Sequence, residues 1–208
     1  MTGRLSATSS RRTRAVESFR TAAEAIGPVH AGMSVFAITR GQFSMIDAVR
    51  HVIQACAPAT ISLWTWTIAD YEVQAFTSLM QADIASAELL IDSGARMKNH
   101  ALIQAWIDRF GPETVRHVRN HAKIAMVEGR GLRVLLRGSM NLNFNPRFEQ
   151  LDVTEGGPDF DLVRKIQSEI PILPMSASNA DVVKACKLND AFEASQLALF
   201  QGLKTWAK

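Results

Sequence analysis

Residues 121–143 read HAKIAMVEGRGLRVLLRGSMNLN and carry four polar side chains in two pairs. His121 and Lys123 stand two apart at the head of one apolar run; Ser139 and Asn141 stand two apart after the next. On a strand, residues i and i+2 project from the same face, so each pair shares a direction. If the two runs are neighbouring strands, an imidazole, an ammonium, a hydroxyl and an amide converge at one end of a sheet. That set suits a phosphate. Histidine supplies a nucleophile or proton carrier near neutral pH, and Lys, Ser and Asn supply hydrogen-bond donors that need no metal. Gly138, just before Ser139, lets the backbone approach closely.

The order His121-Ala122-Lys123, four residues to Glu128, then Gly138-Ser139-Met140-Asn141 resembles the HKD signature of the phospholipase D superfamily. Two features depart from the family pattern: the acid is Glu128 where Asp is usual, and the gap to Gly138 is longer, with a turn at Gly129–Gly131 to absorb it. The resemblance runs over roughly residues 34–155 and takes in Glu149 and the AELLID run that closes on Asp92. It implies a metal-independent phosphodiesterase with no cofactor. In that chemistry one His attacks phosphorus and forms a phosphohistidine, a second His protonates the leaving oxygen, and water then releases the phosphate. Glu149 would hydrogen-bond His121 and orient its ring, and Glu128 would be mainly structural. The motif occurs once and two histidines are needed, so the resemblance implies a homodimer with the site shared across its twofold axis.

Charge distribution suggests the substrate. The whole chain has a formal charge of only +3. Between Arg96 and Glu149, however, ten basic residues face four acids. A local arginine excess favours a phosphate-bearing polymer, with DNA preferred over RNA as the expected partner. Arg130 and Arg137 are expected to line a phosphate channel, Trp66 to stack on a base, and Asn143 to add a further substrate contact.

The elements that must position these groups read as an α/β domain: a mixed β-sheet flanked by helices on both faces, with a helical C-terminal extension. Ser34–Thr39 and Thr60–Ala69 are predicted strands, rich in β-branched and aromatic residues. Met45–Ala57 has helical spacing of its apolar residues. Glu72–Ile84 and Asn99–Phe110 are predicted helices, and Ala87–Ile91 a short buried strand. Ala122–Val127 and Leu132–Leu136 form a strand pair joined by a Gly-containing turn, and Gln150–Thr154 a further strand. Val16–Ile26 reads as a short helix, as do Phe160–Ile170 and Asp181–Lys204. His117 is expected in the approach to the 122–127 strand, on the surface or the substrate side. The expected division is a basic arm and short helix over 1–30, the α/β core over 31–156, and the helical extension over 157–208.

The remaining features bound the reading. Met1–Arg14 holds four arginines and no acid and lacks the apolar core of a secretory signal. Cys56 and Cys186 have no metal-ligand spacing, which suits buried thiols in a reducing, cytoplasmic setting. No apolar run approaches the roughly 18 residues of a membrane span, so no stable membrane association is expected. Two other functions fit the same residues: a nucleic-acid-binding or assembly protein with weak or no catalysis, and a phospholipase or phosphatidyl-transfer enzyme.

Overall fold

The computed structural model describes residues 14–17, 21–68, 73–95, 98–142, 147–174 and 176–186. Its strands are β1 (Arg14–Glu17), β2 (Ser34–Thr39), β3 (Ala59–Thr65), β4 (Ile84–Asp92), β5 (Val115–Val118), β6 (Lys123–Gly129), β7 (Leu132–Gly138) and β8 (Glu149–Glu155). The helices are α1 (Ala22–Ile26), α2 (Met45–Cys56), α3 (Val73–Met80), α4 (His100–Phe110), α5 (Pro158–Glu169) and α6 (Asn179–Ala185). The strands form one sheet in the order β1-β2-β8-β7-β6-β3-β4-β5. The β1–β2, β3–β4 and β4–β5 pairs are parallel, and the β2–β8, β8–β7, β7–β6 and β6–β3 pairs antiparallel. The expected mixed sheet is present.

Both faces of the sheet are covered, which explains why its central strands read as continuous apolar runs rather than alternating ones. Ala125 and Val127 of β6 join Leu63, Leu89, Val134 and Leu136 on one face, under α1 to α4. Met126 of β6, on the opposite face, meets Leu135 and the fully buried Phe160 of α5. Trp64, Leu90 and Val118 continue that second face beneath Val163, Ile170 and Cys186. The helix stripes follow the same logic. In α2, Met45, Ala48, Val49, Val52, Ile53 and Cys56 are all buried, the spacing of a core-facing helix. Ser44 and Asp47 close a capping box at its start, satisfying two orphan N–H groups.

Three elements differ from the sequence reading. The Val16–Ile26 helix is instead a strand and a shorter helix. Arg14–Glu17 adds to the sheet edge parallel to β2, and Thr21 accepts from Glu24 N at 3.2 Å, which starts α1 only at Ala22. Val115–Val118 is a strand that the sequence reading lacked; Arg116 and His117 between two valines hide its apolar pattern. β4 begins at Ile84 rather than Ala87, because backbone pairing with β3 persists through the polar Ser86. Of the predicted Asp181–Lys204 helix, the described part is α6, and residues 187–208 lie outside the described residues.

One edge of this sheet matters for function. The strand directions bring the C-terminal ends of β2, β3, β4, β5 and β7 and the starts of β6 and β8 to the same edge. The carboxyl ends of strands are where open α/β sheets bind ligands.

Candidate active site

The β6–β7 pairing sets Lys123 directly opposite Gly138. The two motif halves, fifteen residues apart in sequence, thereby become neighbours at the upper edge of the sheet. Lys123 is only 7% exposed. Its Nζ donates to the carbonyl of His121 at 2.7 Å and lies 3.1 and 3.2 Å from the two ring nitrogens of His121. The imidazole itself is exposed. A buried ammonium therefore sits against an accessible ring. Burial pushes the Lys123 ammonium below the ordinary lysine range, and the nearby Glu149 carboxylate partly offsets this.

The backbone around His121 is held by Asn120, which the sequence reading did not single out, and by Asp92, noted there only as the residue that closes the AELLID run. Asn120 accepts from Ala122 N and donates to Ala122 O, both at 2.9 Å, clamping the backbone on either side of His121. The buried Asp92 at the end of β4 accepts from Asn120 N at 2.9 Å and from Gly94 N at 2.8 Å. Asp92 thus supports the His121 loop through hydrogen bonds to backbone N–H groups. The signal available in sequence was an acid closing an apolar strand, which is an expensive place for a carboxylate unless it has partners. Trp66, just past β3, lies beside His121 with ring centroids 5.6 Å apart. Its loop is pinned by the buried Asn99, which donates to Ile68 O at 2.5 Å and accepts from Ile68 N and Thr67 Oγ1 at 3.2 Å. Ile68 also bridges Leu142, tying that loop to the Ser139–Asn141 segment.

Ser139 Oγ donates to the Glu149 carboxylate and accepts from Gln150 N at 2.9 Å. Glu149 was expected on the His121 ring. The structure puts it on Ser139 and close enough to influence Lys123. Gly138 is required where it stands: a Cβ there would meet Gln150 O at 2.1 Å. Asn141 is half-buried, and its Oδ1 has no hydrogen-bond partner among the described residues. His121, Lys123, Ser139, Asn141, Glu149 and Trp66 therefore gather at one edge.

The other expected residues do not join them. Arg130 occupies the β6–β7 turn in the left-handed region, φ 48°. That turn is at the far end of the hairpin from Lys123, roughly 20 Å along the strand, so Arg130 cannot serve the same phosphate. Arg137 points to the α5 face, where it is ion-paired with Asp159; strand alternation turns it away from the Lys123 face. Asn143 lies outside the described residues. Glu128 is ion-paired with Arg164 of α5 and with Arg133 at 3.8 Å, far from His121. His117 is not on the surface: it is a β5 residue, 1% exposed, because β5 pairs with β4 inside the layered core.

Away from this edge, a cleft of about 320 Å³ sits beneath α5 and is lined by residues that include Ser62, Glu88, Arg116 and Gln167. Its polar groups are committed to one another: Gln167 bridges Ser62, Trp64 and Glu88, and Glu88 pairs with Arg116 at 2.6 Å. Among the described residues no cluster of three or more His, Cys, Asp or Glu side chains is placed to hold a metal. No described helix is long and apolar enough to cross a membrane.

No family model matches the chain, and no curated protein matches it. Among solved structures it is similar to NucT from Helicobacter pylori, at 15% identity and a TM-score of 0.42, over 65% of this chain and 92% of that one.

Proposed function

We propose that this chain is a metal-independent phosphodiesterase of the phospholipase D type that cleaves nucleic acid. The observation that carries the reading is the contact between the buried Lys123 ammonium and the exposed His121 ring, opposite Gly138-Ser139 across the β6–β7 pair. A ring nitrogen of His121 attacks phosphorus, and the bond from phosphorus to the leaving oxygen breaks. That oxygen takes a proton from a second histidine. Water then attacks the phosphohistidine and gives its proton back to the second histidine, the phosphorus–nitrogen bond breaks, and both rings are restored. Splitting one displacement into two lowers each barrier. Lys123, Ser139 and Asn141 hold the phosphate oxygens, and Glu149 fixes the Ser139 hydroxyl.

The second histidine is His121 of another copy of the chain, since the motif occurs once and the side chains that meet His121 are Lys123 and Trp66 rather than another histidine. His117 is buried in β5, His51 bonds Gly27 O at 2.8 Å, His30 sits near the start of β2 at the opposite edge, and His100 opens α4. A twofold arrangement of the upper edges would bring two His121 rings to one phosphate.

The test is cleavage of labelled single-stranded and duplex DNA in excess EDTA by wild type and by His121→Ala. Wild type is expected to cut, and the variant to lose the reaction by well over the about 10²–10⁴-fold that a general acid contributes. Cleavage that needs a divalent cation, or that survives in the variant, would overturn the mechanism. Strand binding without turnover in wild type would favour the binding-protein reading instead.

A further inference from the structure

Two exposed aromatic rings flank the His121–Lys123 pair, and the mechanism uses neither. Trp66 is 45% exposed and lies beside His121; Phe148 is 70% exposed and immediately precedes Glu149. The Phe148 ring has a specific partner at the surface. The guanidinium of Arg40 lies over its face, 5.1 Å from the ring centroid. Arg40 follows β2 and Phe148 precedes β8, and the β2–β8 register makes them continue the pairing of Thr39 with Glu149. One face of this largely exposed ring is thus backed by a cation.

The sheet order fixes where the two rings stand. Trp66 follows β3 and Phe148 precedes β8, with β6 and β7 between them. Three inter-strand spacings separate them, roughly 14 Å. His121, Lys123 and Ser139 come from the two intervening strands and their ends. Strand alternation gives both rings the parity of the α5 face, which Ser139 shares and Lys123 does not. Trp66 meets His121 past the strand ends, so a phosphate held between His121 and Ser139 would have Trp66 on the β3 side and Phe148, with the Arg40 guanidinium, on the β8 side.

We infer that Phe148, backed by Arg40, is a second base-stacking platform paired with Trp66, and that the substrate of this site is single-stranded nucleic acid, gripped by an unpaired base on each side of the scissile phosphate. Paired bases in a duplex are stacked on their neighbours and offer no free face to such rings, whereas every unpaired base does. This inference rests on the phosphodiesterase reading for the position of the scissile phosphate, but it is read out by binding rather than by turnover.

The experiment is fluorescence anisotropy of a short fluorescein-labelled oligothymidylate in EDTA, with an abasic strand of the same length and a duplex as comparisons. The proteins are His121→Ala, which leaves the probe uncut, and the same protein carrying Phe148→Ala or Phe148→Trp, with cleavage followed separately in wild type. Phe148→Ala should weaken oligothymidylate binding about tenfold, the scale of losing one aromatic–base stack. It should leave the abasic strand and the duplex unchanged, and Phe148→Trp should restore the affinity. Unchanged oligothymidylate binding in Phe148→Ala would overturn the platform. So would an equal loss for the abasic strand, which would assign the effect to charge or folding. So would a shift from dimer to monomer in sedimentation with binding per chain intact, which would place the ring against a second copy. Base-dependent binding without cleavage by wild type would support the platform while counting against the phosphodiesterase.

Discussion

Lys123 is the residue whose environment makes the sharpest statement. Its ammonium is removed from water and held against His121, and burial lowers its affinity for a proton. Desolvation disfavours the charged form, so as pH rises the ammonium is lost earlier than at the ordinary lysine value of 10.5. Phosphate binding needs the charge. The KM for a phosphodiester should therefore rise on the alkaline side with a midpoint below 10.5, and Lys123→Arg, charged to above about pH 12, should remove that limb. A limb that stays in place in Lys123→Arg belongs to another group. At this scale the sequence was informative where chemistry sits on one strand. The His121–Lys123 and Ser139–Asn141 pairs were visible from their spacing, and the structure places them at and just past the ends of β6 and β7. Asn120 and Asn99 did not stand out, and Asp92 did so only as the end of an apolar run, because each works through backbone groups brought close only by tertiary folding.

Among elements, α5 shows how a motif-like residue takes a different job. Glu128 stands at the acid position of the signature, but five residues along β6 from Lys123 it lies roughly 17 Å from the site. There it binds Arg164 and Arg133, whose guanidinium groups also lie over the ring of Phe160, at 5.4 and 4.6 Å. Phe160 is fully buried against Met126 and Leu135. Phe160→Ala should lower unfolding stability by about 3–5 kcal/mol. Glu128→Gln, which removes a half-exposed ion pair, should cost no more than about 1 kcal/mol. Denaturant midpoints measure both. Cleavage in EDTA by Glu128→Gln should stay at the wild-type rate; a large loss would return Glu128 to the active site. Helices α2 and α4 and the β6–β7 pair were legible because periodicity and turn residues are local. β1 and β5 were not, since four-residue strands are defined by the partner they pair with rather than by their own composition.

For the whole molecule, the sheet order turns a linear motif into a rim. Antiparallel pairing of β6, β7 and β8 delivers Lys123, Ser139 and Glu149 to one edge, and parallel β3–β4 delivers Trp66 and Asp92 to the same edge. The same topology explains why Arg130 was misread. The local arginine excess is real in sequence, but the hairpin turn puts Arg130 at the opposite edge, Arg133, Arg137 and Arg164 are in ion pairs that hold α5, and Arg119 stays at the site edge beside Asp92. Charge counted along a chain does not say which edge of a sheet it reaches. The central claim is that His121 attacks phosphorus, and it is tested most directly by trapping the intermediate. Enzyme mixed in EDTA with a short single-stranded oligonucleotide, denatured in alkali before turnover completes and digested, should yield a His121 peptide carrying the mass of a phosphoryl-linked fragment, and His121→Ala should yield none. An adduct on another residue, or strand cleavage with no adduct at any quench time, would contradict it.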